Sequence, residues 1–140
     1  MQPNPYRQYQ TTQISTASTG ELVLLLYDGA IRCLGMAELA LEERSMDAAN
    51  RNLYQAQEVV LELYAGLDYQ QGGELAANLA RLYLYIYRTL VQANLKKDIE
   101  KVREIRGLLD QLRAAWRVAV QGAPALAGQD GRLIAGGMAA

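Results

Sequence analysis

The sequence predicts an all-α protein, an antiparallel up-down four-helix bundle preceded by an N-terminal arm and followed by a flexible C-terminal tail. Proline occurs only at positions 3, 5 and 124, so no proline interrupts a helix between Gly20 and Gln121. Over that range apolar residues recur at helical spacing, in four segments joined by short connections. The chain therefore divides into an arm (1–17), a bundle (18–122) and a tail (123–140).

The first two helices carry recognisable N-terminal signals. Ser18 and Glu21 have the spacing of a capping box, so the first helix is predicted to begin there and to continue to about Glu43. Ser45 is the predicted N-cap of the second helix, which is expected to end near Asp68.

The third helix contains the run LYLYIY at 82–87, which alternates apolar and aromatic residues in the manner of a β-strand. That alternation lasts six residues, whereas a polar stripe spaced by four, three, four, three and four continues through the whole segment. We therefore predict a helix from Glu74, after the breaker Gly72-Gly73, to about Leu95.

The fourth helix is predicted to start at the N-cap Asp98 and to end at Gly122. Its apolar residues alternate at intervals of three and four, which predicts a single buried seam made of Val102, Ile105, Leu109, Leu112, Trp116 and Ala119. Trp116 is accordingly a predicted core residue.

Composition excludes several kinds of active site. Histidine is absent and Cys33 is the only cysteine. Histidine-dependent triads, Glu-x-x-His di-iron sites and axial histidine ligation of haem are therefore impossible. Cys33 lies on an apolar helix face without a base to activate it, so we interpret it as a small core residue. We expect neither enzyme activity nor a metal or cofactor.

Charge is nearly balanced overall but differs between the halves. The formal net charge is −1, which gives no electrostatic reason to expect nucleic-acid or membrane-surface binding. Residues 1–71 hold four basic and nine acidic side chains, whereas residues 72–140 hold ten basic and six acidic ones. This asymmetry predicts ion pairs between the halves, with a groove of mixed sign as the alternative.

Targeting and membrane signals are not recognisable. No basic-then-apolar leader opens the sequence, and no run approaches the roughly 18 apolar residues of a membrane span. The expected location is the cytoplasm, without stable membrane insertion.

The first and third helices are more apolar than a bundle helix requires, which is about three positions in seven. In LVLLLYDGAIRCL (22–34), one apolar seam contains Leu22 and Leu26, and a neighbouring seam contains Tyr27. Two explanations remain open. Either the first helix is the most deeply buried of the four, or part of its surplus lines a groove.

The nine tyrosines are expected to fall into two classes. Tyr27 and Tyr83 are predicted to support the bundle. Tyr6 and Tyr9 lie on a polar arm that has no core of its own, and Tyr87 lies beside the seam of the third helix. Tyrosine combines a large contact area with few rotatable bonds, which suits docking of another chain.

Five stretches together carry a family resemblance: NPYRQYQ (4–10), TASTGELVLLLYDGAIRCL (16–34), NLYQAQEVVLELYAGLD (52–68), NLARLYLYIYRTLVQAN (78–94) and LLDQLRAAW (108–116). They resemble, in order, the flagellin-specific export chaperones of the FliS family. The LYDG element and the LYxYxxRxLxxAN stretch are the most specific in combination. Thr19 departs from the family, whose members usually have proline at the start of the first helix.

The resemblance implies a cytoplasmic chaperone that uses no nucleotide or metal. It would bind the disordered C-terminal segment of flagellin, prevent premature filament assembly and deliver the subunit to a component of the flagellar export gate. The arm would cover or clamp an apolar groove. The residues predicted to bind this client are Tyr6, Tyr9, Ile14, Leu22, Leu26 and Tyr87.

Two other functions have weaker support in the sequence. A structural or adaptor module would self-associate through the same apolar faces, for instance by exchange of the arm. A nucleic-acid adaptor would use the basic side chains of the fourth helix, but these are interleaved with acidic ones and form no stripe. We therefore expect no nucleic-acid partner.

Overall fold

The computed structural model describes residues 19–122, which form four helices. They are α1 (Thr19–Glu42), α2 (Met46–Ala65), α3 (Tyr69–Lys96) and α4 (Ile99–Gly122). The connections are only two or three residues long, so successive helices run antiparallel. α1 packs against α2 and α4, and α3 packs against α2 and α4. The prediction of an all-α four-helix bundle is confirmed.

Parts of the predicted organisation lie outside the described residues. These are the arm (1–17), the capping residue Ser18 and the tail (123–140). Within residues 19–122, no helix combines the length and apolar character that crossing a membrane requires.

Local capping explains where the helices begin and end. Ser45 is the N-cap of α2 as predicted, although its side chain makes no capping hydrogen bond. Asp98 is the predicted N-cap of α4, and its Oδ1 accepts hydrogen bonds from the backbone N–H groups of Glu100 at 3.1 Å and Lys101 at 3.3 Å. Lys97 closes α3 in the left-handed conformation, with φ 53° and ψ 48°.

The connection between α2 and α3 differs from the prediction. α2 ends at Ala65 rather than near Asp68, and α3 begins at Tyr69 rather than Glu74. Asp68 caps the start of α3, because its Oδ1 accepts two backbone N–H groups of the first turn at 3.1 Å each. The predicted breaker is nevertheless present within α3. Gly73 is non-helical, with φ +52° and ψ −125°, and separates the first turn from the main part of the helix, which continues from Glu74 as predicted.

The core draws on all four helices. Its largest fully buried side chains are Trp116, Tyr27, Leu34, Leu53, Ile86, Leu90, Ile105, Leu109, Val60 and Val102. Two polar contacts cross it. The hydroxyls of Tyr27 and Tyr83 lie 2.6 Å apart, and the indole N–H of Trp116 donates to the carbonyl oxygen of Gly20 at 2.9 Å. Each large amphipathic side chain thus has a partner for its polar atom.

Ion pairs join α1 to α4. Arg103 Nη2 lies 3.0 Å from Glu42 Oε2. Further along the same seam, Arg106 pairs with Glu38 and Arg113 pairs with Asp28. The predicted neutralisation of one half of the chain by the other is confirmed by these ion pairs, which involve three of the basic residues of α4.

The tyrosine pair makes a prediction about alkaline pH. Burial raises the pKa of Tyr27, and proximity to Tyr83 raises it further. Burial also raises the pKa of Tyr83, partly offset by the hydrogen bond from Tyr27. Above a pH of about 10, unfolded tyrosines ionise while this folded pair stays protonated. The unfolded state then binds fewer protons, so stability should be retained below that pH and fall above it.

Urea unfolding between about pH 8 and 11 would measure this effect. A Tyr27→Phe/Tyr83→Phe variant should lose stability less steeply with rising pH, because it removes both titrating groups while the other seven tyrosines remain. Equal pH slopes for the two proteins would contradict the prediction.

Candidate functional site

The described residues offer little basis for metal or nucleophilic chemistry. Within residues 19–122, no three His, Cys, Asp or Glu side chains are grouped so that they could hold a metal ion. Cys33 is buried, and burial raises the pKa of its thiol, which points toward Gln55 Oε1 at 3.7 Å. The features that suggest binding are instead apolar side chains left at the surface.

The first such surface lies on α1. All five residues of the run 22–26, Leu22, Val23, Leu24, Leu25 and Leu26, are only half-buried. Further along, Met36 and Leu39 are 52% and 53% exposed. The intervals from Leu25 to Met36 and from Met36 to Leu39 are 11 and 3 residues, which are close to whole helical turns. These three side chains therefore lie on one side of the helix. We call Leu22, Leu25, Met36 and Leu39 the α1 strip.

A second surface lies where α2 meets α3. Asn94 Nδ2 donates to Asn50 Oδ1 at 3.0 Å, which identifies the facing sides of the two helices and sets their register. On α2, Tyr54 and Leu61 lie four and eleven residues after Asn50 and are 57% and 38% exposed.

On α3, the corresponding side contains three half-buried apolar residues. Leu84, Tyr87 and Val91 precede Asn94 by ten, seven and three residues, so all share its face. Together with Tyr54 and Leu61 they form what we call the α2–α3 surface.

One polar atom beneath this surface is unsatisfied. Gln57 is 8% exposed, and its Oε1 has no hydrogen-bond partner among the described residues. Gln57 follows Asn50 by seven residues and Tyr87 precedes Asn94 by seven, so in antiparallel helices the two side chains lie at the same level. The α2–α3 surface is therefore apolar at its exterior with an unpaired acceptor underneath.

A third feature lies between α3 and α4, the neighbouring pair that packs least closely. The hydroxyl of Tyr85 donates to Glu104 Oε2 at 3.2 Å across this seam. Near the connection between the helices is a pocket of about 230 Å³, which we call the α3–α4 pocket. It is lined by Tyr85, Thr89, Gln92, Ala93, Lys96, Asp98 and Lys101.

The predicted client-binding residues that are described do not form one continuous patch. Leu22 and Leu26 lie in the first two turns of α1, and both are half-buried. Tyr87 is half-buried in the middle of α3, on the side facing α2. Tyr6, Tyr9 and Ile14 lie outside the described residues.

The residues predicted to be structural are all buried. Tyr27, Tyr83 and Trp116 are exposed by 0%, 3% and 1%, respectively. Sequence reasoning missed Tyr54 and Leu61, whose spacing from Asn50 was visible but whose orientation toward α3 was not. It also missed the α3–α4 pocket, which two different helices create.

Comparisons with known proteins agree on one family. The family model described as "Flagellar protein FliS" matches residues 2–123. The flagellar secretion chaperone FliS of Bacillus subtilis is 40% identical over 118 residues, which cover 84% of this chain and 87% of the relative. The protein of the same name from Salmonella typhimurium is 40% identical over 105 residues, covering 74% and 78%. The flagellar secretion chaperone FliSB of Pseudomonas aeruginosa is 33% identical over 114 residues, covering 79% and 90%.

Proposed function

The chain belongs to the family of flagellar protein FliS, and we propose that it is a cytoplasmic flagellar secretion chaperone whose client is the C-terminal segment of flagellin. The family consists of chaperones rather than enzymes. The matched region, residues 2–123, includes all four helices of the bundle.

The observation that carries the proposal is the exposed apolar area on two sides of the bundle. The α1 strip and the α2–α3 surface contain large apolar side chains that stay half-buried or exposed. Large apolar side chains that remain exposed in groups on a small protein often mark a site where another molecule binds. A flagellin segment with an amphipathic helix would bury such a patch by laying its apolar face against it.

Two separate surfaces suit a client that wraps around the bundle. Ordering a disordered segment costs a few kcal/mol or more, so the contact must be large and distributed. The α2–α3 surface also offers the unpaired acceptor of Gln57, which a side-chain or backbone N–H of the client would satisfy after a small movement of the glutamine. A client held along both surfaces cannot use the same side chains for filament assembly.

The arm has a defined place in this proposal. In the sequence it shortly precedes the half-buried run Leu22–Leu26 at the start of α1. We propose that Tyr6, Tyr9 and Ile14 pack over that part of α1 and hold the client there. Delivery to a component of the export gate would follow while the client remains bound.

Size-exclusion chromatography tests the proposal against self-association. The protein should elute as a monomer over a wide concentration range and should co-elute with flagellin monomers. Flagellin shortened by its C-terminal segment is the matched control and should elute separately. A protein that forms concentration-dependent dimers and retains neither form of flagellin would be a self-associating module, and the proposal would be wrong.

A further inference from the structure

The α3–α4 pocket suggests how the client is oriented. We propose that this pocket binds the terminal carboxylate of the client polypeptide, so that the client's last residue lies at the connection between α3 and α4. This inference rests on the proposed function, because only a C-terminal client segment brings a free carboxylate to the bundle.

The size of the pocket suits one end of a peptide. Its volume is about 230 Å³, below the range of about 300–1,000 Å³ typical of pockets for complete small-molecule ligands. Ala93 is the buried apolar residue of its lining, and the hydroxyl-bearing residues Tyr85 and Thr89 lie on the α3 side. A carboxylate at the rim and a short apolar side chain against Ala93 would together fill such a space.

The charges around the pocket favour an anion. All three lysines of the chain lie between positions 96 and 101. Lys96 lines the pocket and makes no hydrogen bond or ion pair with any of residues 19–122. Lys101 Nζ lies 3.7 Å from Glu104 Oε1, with both side chains 50% exposed, which makes this a weak pair that a carboxylate can share.

The other charged groups nearby are already engaged. Lys97 Nζ donates to the carbonyl oxygen and Oδ1 of Asn94 at 2.6 and 2.7 Å. Asp98 is the one carboxylate in the lining, and its Oδ1 accepts the two backbone N–H groups that cap α4. The negative charge of Asp98 also interacts with the N-terminal dipole of α4. The charged group of the lining that remains without a partner among the described residues is therefore the ammonium group of Lys96.

The position of the pocket favours a chain terminus over an internal acidic residue. The seam between α3 and α4 is bordered by half-buried leucines of both helices, Leu75, Leu82, Leu108 and Leu112. At the pocket this seam is closed by the two-residue connection Lys97-Asp98. A segment lying along the seam must therefore either leave the surface there or end there. Capture of a terminal carboxylate is an established mode of peptide recognition.

Calorimetry with two synthetic peptides tests the inference on the intact protein. Both peptides contain the C-terminal segment of flagellin, one with a free terminal carboxylate and one with a terminal amide. We expect the amide to bind about tenfold more weakly, because it loses a charge-assisted interaction. The Lys96→Gln/Lys101→Gln variant should bind the two peptides equally. Arg117→Gln removes an exposed positive charge near the other end of α4 and should preserve the tenfold difference.

The possible results separate this inference from the proposed function. If both peptides bind the unmodified protein equally well, the client is captured but its carboxylate is not recognised, and the inference is wrong. The same conclusion follows if only neutralisation of internal Asp or Glu side chains of the peptide weakens binding. If neither peptide binds, the proposed function fails and the inference fails with it. A free-acid peptide extended by two glycines should bind as weakly as the amide.

Discussion

Trp116→Ala is expected to lower the free energy of unfolding by about 3–5 kcal/mol, as large-to-small substitutions in a core do. Trp116 is 1% exposed, and its indole N–H donates to the carbonyl oxygen of Gly20 at 2.9 Å. The substitution therefore leaves a cavity and also removes the donor from a backbone carbonyl. This contact joins the end of α4 to the start of α1, so its loss also weakens the packing between these two helices. Denaturant unfolding measures the change.

Tyr85→Ala provides the control for that prediction. Tyr85 is 47% exposed, and its hydroxyl donates to Glu104 across the surface of the α3–α4 seam. We expect a loss well under about 1 kcal/mol, since little apolar area leaves the interior. Similar shifts of the unfolding midpoint for Trp116→Ala and Tyr85→Ala would contradict the assignment of the two side chains.

Replacing Tyr6 and Tyr9 together by alanine is expected to weaken binding of the flagellin C-terminal segment at least tenfold, which is about 1.4 kcal/mol. Both residues belong to an arm without a periodic apolar face, and both lie within the region that the FliS family model matches. Among the described residues, the core of the bundle is built from residues 27–116, and we expect it to form without the two rings. The melting temperature should therefore change little.

Matched variants distinguish two roles for the arm. Gln8→Ala/Gln10→Ala alters the same stretch without removing an aromatic ring, and it should bind the client normally. Deletion of residues 1–14 should weaken binding if the arm clamps the client, whereas an arm that acts only as a lid would compete with the client, so its deletion would tighten binding. We favour the clamp, since a lid would not require two large aromatic side chains. Unchanged affinity of the Tyr6→Ala/Tyr9→Ala variant with a strongly lowered melting temperature would make these tyrosines structural.

The sequence predicted the fold class because the deciding signals are local. The helical spacing of side chains extends well beyond the strand-like run at 82–87, and this segment is a helix. Asp98 is the N-cap of α4, as its position in the sequence predicted. The first turn of α3, before Gly73, was not predicted, because an aspartate after a helical segment suits either the end of one helix or the N-cap of the next. Asp68 proved to be the N-cap. The predicted break at the glycine pair occurs at Gly73, which separates this first turn from the rest of α3.

The surplus of apolar residues on α1 had two possible explanations, and different parts of the helix fit each. Tyr27, Ala30, Leu34 and Ala37 are fully buried, as expected for a helix that packs against two neighbours. Met36 and Leu39 are more than half exposed, which leaves an apolar strip at the surface. Periodicity alone could not separate them, because the outward direction of a helix is set by where its neighbours lie.

The candidate binding surfaces were harder to predict than the fold for the same reason. Tyr54 and Tyr87 are distant in sequence and become part of one surface only through the register that the Asn50–Asn94 hydrogen bond reports. The α3–α4 pocket is lined by residues of two helices and of the connection between them. Neither feature has a local sequence signature, whereas the caps and the core seams do.

Titration calorimetry with the C-terminal segment of flagellin tests most directly whether this bundle captures that segment. We predict saturable binding of one segment per protein, with a negative heat-capacity change that reports burial of apolar surface. The heat-capacity change should be smaller when Leu25, Met36 and Leu39 of the α1 strip are replaced by serine and the protein remains folded. Absence of saturable binding to a correctly folded, monomeric protein would contradict the claim.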